Sequence, residues 1–549
     1  MKKYSIGLII ILCFSGLTPA YAEWGRTAED YISLPLYRDA HICSDGNGGC
    51  WATGQGVGLS HVDRNGNLTW EMEPFFLQPR HGYDQSPVLA DNGDVIIAMK
   101  VYNEDNGVSD VYIQRVNLDQ EQLWGEDGIQ MDTSSRYESV VDVYKGPVND
   151  TYLIHWVRHT ENYRNYDIRL QLINGDGEFL WGIGGIGTGS GYKKIVTTRD
   201  QCVIVAHPLP VDDEEDLEVH KIDSDGERLW DSRFSIMQED NRSTKLRGAE
   251  SDREGGVILI YEYSRLEYLD DGHLYHFGIK AMRVSSDGDS LWTRQVYERE
   301  AERQGETPSQ FKPILNYAGS GRFFIAWADF PHVFKVVALN IDGEYLWDEP
   351  VDVILNPASY FKLDAVDSHS GVCYVWTENA ERENGGIQQQ WGQRISAAGE
   401  RLWGDRGRAI QARNVDHSSI TTDGNGGVIT VVEYNPTLQM INRNGEIGVV
   451  LPVSVEDDFD KPKSSLPSPQ PFIYPNPGNS QFRIKYDTDI PDEMFSYGIY
   501  NLMGRKLMTG MMVGNHYTVN DLSRFSSGEY ILLLQSPRTT VSTRFLLIK

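Results

Sequence analysis

One phrase recurs along most of this chain and restricts its fold more than any other feature. It is a polar turn, a glycine, three further residues and a tryptophan. Full copies pair Gly66 with Trp70, Gly177 with Trp181, Gly226 with Trp230, Gly288 with Trp292, Gly343 with Trp347 and Gly399 with Trp403. A degenerate copy ends in Trp124 without the glycine, and a last one keeps Asn444-Gly445-Glu446 but has no tryptophan. These eight copies recur about every fifty residues, the signature of stacked or radially arranged units.

Each unit reads as four short strands. In the sixth, Phe323-Phe324-Ile325-Ala326-Trp327 and Lys335-Val336-Val337-Ala338-Leu339 precede the Asp342-Gly343 turn, and a further strand begins at Leu346-Trp347. β-Branched and aromatic runs bounded by Gly, Asp and Asn are strand and hairpin signals. A tight hairpin needs positive φ, which glycine adopts without a Cβ clash. A four-stranded sheet cannot bury both faces alone and must pack on neighbours. An indole at one fixed place in each unit is suited to that packing, and full burial would contribute at most about 4–6 kcal/mol. Trp70, Trp124, Trp181, Trp230, Trp292, Trp347 and Trp403 are therefore the expected docking residues between units. Four-stranded units about a common centre make a β-propeller. The expectation is an all-β chain with an eight-bladed propeller over residues 23–453. A seven-bladed ring, with one unit split to close it, is the alternative.

The ends read differently. Lys2 and Lys3 precede a mostly apolar run over residues 6–17, and Ala20-Tyr21-Ala22 fits a signal-peptidase site. Residues 1–22 read as a signal peptide cut between Ala22 and Glu23, with Ala20 completing the small-residue rule. The apolar run is too short to span a bilayer, and no later stretch approaches that length, so no transmembrane segment is expected in the mature chain. The formal net charge of −29 argues against nucleic acid and anionic lipid as partners. Cys43 and Cys50 flank the Asp45-Gly46-Asn47-Gly48-Gly49 turn and would face one another in a hairpin of suitable register, leaving a disulfide open. Cys202 and Cys373 lie in apolar strand patterns and read as small buried hydrophobes.

Composition shifts after Val453. Residues 454–470 are acidic and then rich in Lys, Ser and Pro, as in a linker. Residues 471–549 carry about seven short strand signals, the size of a small Ig-like β-sandwich. They contain Tyr474-Pro475-Asn476-Pro477, then Ile499-Tyr500-Asn501-Leu502-Met503-Gly504, then Ser527-Gly528-Glu529-Tyr530, and a last apolar strand ending in Lys549. In order and spacing these pieces closely resemble the type A C-terminal sorting domain of the type IX secretion system. Gly478 stands where that family usually has phenylalanine. The resemblance implies periplasmic transit and export across the outer membrane of a Gram-negative, Bacteroidota-like bacterium. It makes the type IX machinery a partner, and it implies removal of the domain with secretion or cell-surface attachment.

Sequence motifs for chemistry are sparse. Gly182-x-Gly184-x-x-Gly187 matches a dinucleotide fingerprint by letter, but the residues after it open no helix to hold a phosphate. Asn174–Glu178 and Asp223–Glu227 resemble the start of a calcium loop without its downstream glutamate and read as turn residues. The acidic run at 212–216 reads as a solvated tip with room for loosely bound calcium. No other cofactor is expected. There is no His-Glu-x-x-His, nucleophile elbow or Walker loop, the histidines look scattered, and His155 beside Trp156 reads as a packed residue. The repeat is also similar to quinoprotein propellers, in Ala338-Leu339-Asn340 followed by Gly343 and Trp347, but one residue shorter. The adjacent cysteine pair often found at their cofactor site is missing. The shared feature is packing logic.

The chain thus reads as an exported, non-enzymatic propeller binding an extracellular protein or glycan through loops at one end of its ring. The candidate loops are 102–110, 158–166, 266–276 and 379–386, with Tyr263, Tyr268 and Tyr275 as aromatic surface. A polysaccharide hydrolase or lyase acting at the central channel, and a structural surface-layer component, are the alternatives.

Overall fold

The computed structural model describes most of residues 24–451, apart from short connecting segments, and the strands between Phe472 and Leu547. The signal-cleavage residues Ala20, Ala22 and Glu23, the linker 454–470, the tip at 212–213 and the side chain of Trp70 lie outside the described residues. The chain divides into two compact units, Met1–Phe459 and Asp460–Lys549. No helix occurs among the described residues.

Among the described residues the first unit holds eight four-stranded antiparallel sheets. Seven take their strands in chain order, the first being His41–Ser44, Cys50–Gly54, Gly58–Val62 and Leu68–Met72. None closes on itself. Central strands are apolar throughout rather than alternating: in the second sheet Val95, Ile96, Ile97, Ala98 and Met99 are all fully buried. Both faces of such a strand meet apolar neighbours, so an alternating pattern would bury polar groups.

The tryptophan hairpins link successive sheets. Trp181 Nε1 donates to the carbonyl of Ser224 in the next hairpin, 2.9 Å away. Trp230 donates to Ser286 (2.8 Å), Trp292 to Ile341 (2.9 Å), Trp347 to Ala397 (3.2 Å) and Trp403 to Arg443 (3.1 Å). Trp124 donates to Gly175 at 3.2 Å. In each case the acceptor lies two residues before the hairpin glycine. That glycine is required twice over: Gly343 has φ +75°, and a Cβ there would lie 2.7 Å from the Trp292 ring. In the copy without glycine, Gln120 itself adopts φ +67° and preserves the turn. The rings are not equally enclosed. Trp181 and Trp403 are buried and the other four half-buried, so the full-burial figure is an upper bound for those four.

A second donor often meets the same carbonyl. Arg115 Nη1 donates to Gly175, Lys221 Nζ to Ser286, Arg283 Nη1 to Ile341 and Arg394 Nη1 to Arg443. Three of these cations are held by a carboxylate of their own sheet: Arg115 by Asp94 (2.8 Å), Arg283 by Asp252 (2.9 Å) and Lys221 by Asp200. Buried charges persist only where they are paired and hydrogen-bonded, as here.

The eighth sheet is composite. Ser418–Thr422, Val428–Val432 and Thr437–Ile441 come from the end of the unit, and Ile32–Ser33 from its beginning, with Ile32 opposite Leu438. The repeat that lost its tryptophan lies in this sheet, and the N-terminal segment supplies one. Trp24 is 2% exposed, and its Nε1 donates to Arg64 O in the first sheet at 2.9 Å, again two residues before a hairpin glycine. Gln439 Nε2 donates to the carbonyls of Thr27 and Asp30, as Gln171 Nε2 does to Gly182 after Trp181. Arg26 Nη1 donates to Gly448 O, and Ile42 N to Ser419 Oγ.

Two local expectations change. The strand register sets Ser44 opposite Cys50 and Cys43 opposite Trp51, so the two cysteines point to opposite faces of the hairpin. Cys50 packs with Ile42 and Val62 while Cys43 lies against the cluster around Trp51, and both are free thiols. The expected loop at 266–276 is instead part of a long hairpin, Val257–Leu269 against Gly272–Val284. Its apolar alternation continues outward through Leu266 and Tyr275, which are buried with Tyr263, leaving Tyr268 exposed.

Among the described residues the second unit has seven strands in two sheets. Phe472–Tyr474, Gln481–Lys485 and Thr518–Asp521 form one, and Lys506–Val513, Met494–Asn501, Gly528–Gln535 and Thr540–Leu547 the other, in those spatial orders. Tyr497, Ile499, Tyr530, Leu532 and Leu534 are buried in the larger sheet. Tyr474 lies opposite Arg483 and Gly528 opposite Leu547. Pro475, Asn476, Pro477, Gly504 and Lys549 are outside the described residues.

Replacing Trp24 with alanine removes an indole and its hydrogen bond from the junction of the chain's start with the first sheet. The expected loss is about 3–5 kcal/mol in a denaturant titration of the mature protein. An unchanged midpoint would show that Trp24 contributes nothing there.

Candidate functional site

The first strands of seven of the eight sheets, among the described residues, border one cavity of about 1320 Å³. Its lining mixes apolar residues such as Leu153, Ile195 and Leu315 with charged ones. The cations are Lys193, Lys194, Arg247 and Arg253; the described carboxylates are Asp142 and Glu250; and His41, His155 and His159 add imidazoles. Arg247 is neutralised by Glu262 at 2.6 Å. The Arg253 guanidinium lies over the Tyr317 ring, 4.3 Å from its centre. Burial lowers Lys193 to about 8. Among the described lining residues cations therefore outnumber carboxylates, four to two, in a chain of net charge −29.

Two pairs in the wall bear on catalysis. Ser139 Oγ and His159 Nε2 are 2.8 Å apart, the distance of a nucleophile and its base. Burial and then Lys100 lower the His159 pKa, the reverse of the effect of a triad's acid. His155 Nδ1 lies 3.7 Å from Asp142 Oδ2, too long for a hydrogen bond. Neither pair amounts to an assembled hydrolytic centre.

Beside Ser139, the Glu138 side chain is fully buried away from solvent. Its oxygens accept from Val111 N (2.9 Å) and Trp156 Nε1 (2.8 Å). Burial, assisted by Asp132, nevertheless pushes its carboxyl up to about 8.

A further cluster lies in the fourth sheet, whose central strands are Val203–Val211 and Glu214–Ile222. The register places His207 opposite Glu218, with His220 two residues along on the same face. One ligand atom from each lies within 4.8 Å of the others. Burial lowers the pKa of both imidazoles, that of His220 to about 3, with Arg228 and His207 contributing. Along the sequence these histidines look scattered. What joins them is the strand pairing that sets Val211 opposite Glu214 and so brings 207 and 218 into register.

The expected calcium-loop residues serve their own turns: Asp223 Oδ1 accepts from Asp225 N and Glu227 N, and Asn174 Oδ1 from Asp176 N and Glu178 N. Gly182 is followed by a turn and the short strand Ile186–Gly187 rather than a helix. Of the expected binding loops, 102–110 is mostly strand, since Val95–Asn103 pairs with Val108–Val116. Residues 160–165 and 381–386 lie outside the described residues.

Repeated four-stranded sheets bordering a common cavity define the class: a β-propeller fold, with a separate all-β unit at the C-terminus. That second unit carries the address. Residues 472–549 match the secretion system C-terminal sorting domain, which directs a protein to secretion or cell-surface attachment through the type IX system. No curated protein matches the chain in sequence. Solved structures similar to it include the Dos1 propeller, at 11% identity and a TM-score of 0.38 over 64% of this chain and 85% of that one. The WD40 domain of SCAP from fission yeast is 9% identical, with a TM-score of 0.37 over 76% of this chain and 94% of that one. The β-propeller domain of the Trilobed protease from Pyrococcus furiosus, described as having an open velcro topology, is 10% identical, with a TM-score of 0.35 over 69% and 98%. No described helix is long and apolar enough to cross a membrane.

Two outcomes are expected. Deleting residues 472–549 should leave the protein in the periplasm, read by fractionation of the native host; normal surface display would remove the sorting role. For Glu138 the folded pKa is raised above the unfolded one, so the folded state holds the extra proton between about 4.5 and about 8 and loses relative stability as pH rises through that window. Each tenfold difference in proton affinity between the two states is worth about 1.4 kcal/mol. Relative to Glu138→Gln, wild type should therefore be less stable at the alkaline end of the window than at the acid end. Denaturant titrations at both ends that give the same difference would contradict this.

Proposed function

We propose that the protein is an exported eight-bladed propeller whose channel binds an anionic extracellular polymer, an acidic glycan being the chemistry that fits best. The observation that carries this reading is the cavity wall, where Lys193, Lys194 and Arg253 lie among apolar and imidazole groups in an otherwise strongly acidic protein. A cleft in which cations outnumber carboxylates, as they do in this lining, raises the local concentration of anions and speeds encounter. Apolar surface such as Ile195 and Leu315 beside the cations suits a sugar ring with attached carboxylates.

The eight-blade count rests on the eight sheets and on the composite last one, in which Ile32–Ser33 and Trp24 join the end of the ring to its start. In this reading the seven repeat tryptophans and Trp24 dock each blade on the next. Cleavage after Ala22 then leaves Trp24 as the second residue of the mature chain. The propeller spans residues 23–453, 454–470 link it to the sorting unit, and 471–549 form a small Ig-like sandwich that engages the type IX machinery.

The test is a binding screen of the purified exported protein against acidic and neutral polysaccharides at low and high salt. Acidic polymers should be preferred and should bind more weakly as salt rises. Lys194→Glu and Arg253→Glu should each weaken binding by about tenfold, some 1.4 kcal/mol. A preference for neutral polymers, insensitive to both substitutions, would overturn the reading. Shortened polymer in the same mixtures would point to the hydrolase instead.

A further inference from the structure

We propose that His207, Glu218 and His220 bind a single divalent transition-metal ion of the zinc class in the seam between the third and fourth sheets. The seam is defined by packing. Val203, Val205 and Ile222 lie on the same face of the fourth sheet as the three candidate ligands, and they pack against Leu170, Leu172 and Trp181 of the third.

The strongest observation is His220. It is 1% exposed, and neither ring nitrogen has a hydrogen-bond partner. A buried polar group left unpaired is costly, and most such groups in native proteins find a partner. An imidazole with an unpaired ring nitrogen within 4.8 Å of a second imidazole and a carboxylate offers the donor set of a zinc-class site. His207 is oriented for the same task. Its Nδ1 lies 3.4 Å from Pro208 O, which favours the tautomer with the proton on Nδ1, and its Nε2 then turns a lone pair toward Glu218 Oε2, 3.6 Å away. A backbone carbonyl fixing the far nitrogen of a ligand histidine is a recurrent outer-shell arrangement.

The spacing also suits an ion. Tetrahedral ligands at about 2.0–2.1 Å from zinc are separated by about 3.3 Å from one another. The three atoms here lie within 4.8 Å, so side-chain movements of about an ångström close the site. Glu218 is the least enclosed of the three, which gives an ion and its fourth ligand, a water, a way in. Two cations oppose binding: Lys193, which acts on both Glu218 and His207, and Arg228, which acts on both histidines. An internal Lys193–Glu218 pair is therefore the competing arrangement, and removing the Lys193 charge should tighten metal binding.

The test uses the full secreted chain without an affinity tag, stripped with chelator and titrated with Co(II) and Zn(II). Co(II) should bind at about one equivalent per chain with the intense visible absorption of a tetrahedral site, and Zn(II) should displace it. Glu218→Gln and His220→Gln should each weaken binding by about tenfold or more, Lys193→Met should strengthen it, and His155→Gln should leave it unchanged. If His220→Gln does not fold, the partly exposed Glu218→Gln decides. No stoichiometric binding, or binding indifferent to Glu218→Gln, would overturn the assignment.

Discussion

The contact on which the first unit depends is small: an indole N–H of one sheet on a carbonyl of the next sheet's hairpin. Seven described tryptophans make it, each to the residue two before the hairpin glycine. The hydrogen bond alone contributes about 1 kcal/mol. Its importance lies in what it aligns. In six of the seven the ring lies against the glycine, and in four hairpins a buried or partly buried cation reaches the same carbonyl. At those four junctions packing, hydrogen bonding and charge converge on one atom, which fixes how the sheets meet more tightly than apolar contact alone.

Much of this is legible in the sequence because it is local. Gly343 and Trp347 are four residues apart, and their spacing recurs, so the strand order and the hairpin chemistry follow from reading one unit well. The features that are not legible depend on long-range register. Trp24 belongs to no repeat, and only the pairing of Ile32 with Leu438 shows that it occupies the place left vacant in the last copy. Arg283 and Asp252 are thirty-one residues apart and become a pair only when two hairpins of a sheet end at the same edge. The cysteine hairpin is the opposite case. The turn itself is plain in the sequence, but a one-residue difference in register turns Cys43 and Cys50 to opposite faces. The long hairpin at 257–284 looks shorter than it is because its polar tip resembles a loop, although Leu266 and Tyr275 keep the alternation.

The site is harder still to read. Each first strand contributes only a few residues to the cavity, and those from neighbouring sheets lie about fifty residues apart, so no contiguous pattern records their sign of charge. Composition misleads here, because an acidic total gives no sign of the cations Lys193, Lys194 and Arg253 in the wall. Likewise, His207, Glu218 and His220 form a cluster only through strand pairing. The C-terminal unit is the contrary case. Its motifs are short, ordered and contiguous, and residues 472–549 are recognisable without any three-dimensional information.

Trp24 joins the composite sheet to the first sheet through the same kind of indole–carbonyl bond that the repeat tryptophans make. Hydrogen exchange of the indole N–H groups, followed by NMR on tryptophan-labelled full-length protein, tests it most directly. Trp24 should exchange as slowly as Trp181 and Trp403, because its donor is buried against Arg64 O. A Trp24 indole that exchanges at the rate of a solvated side chain, while the others remain protected, would contradict it.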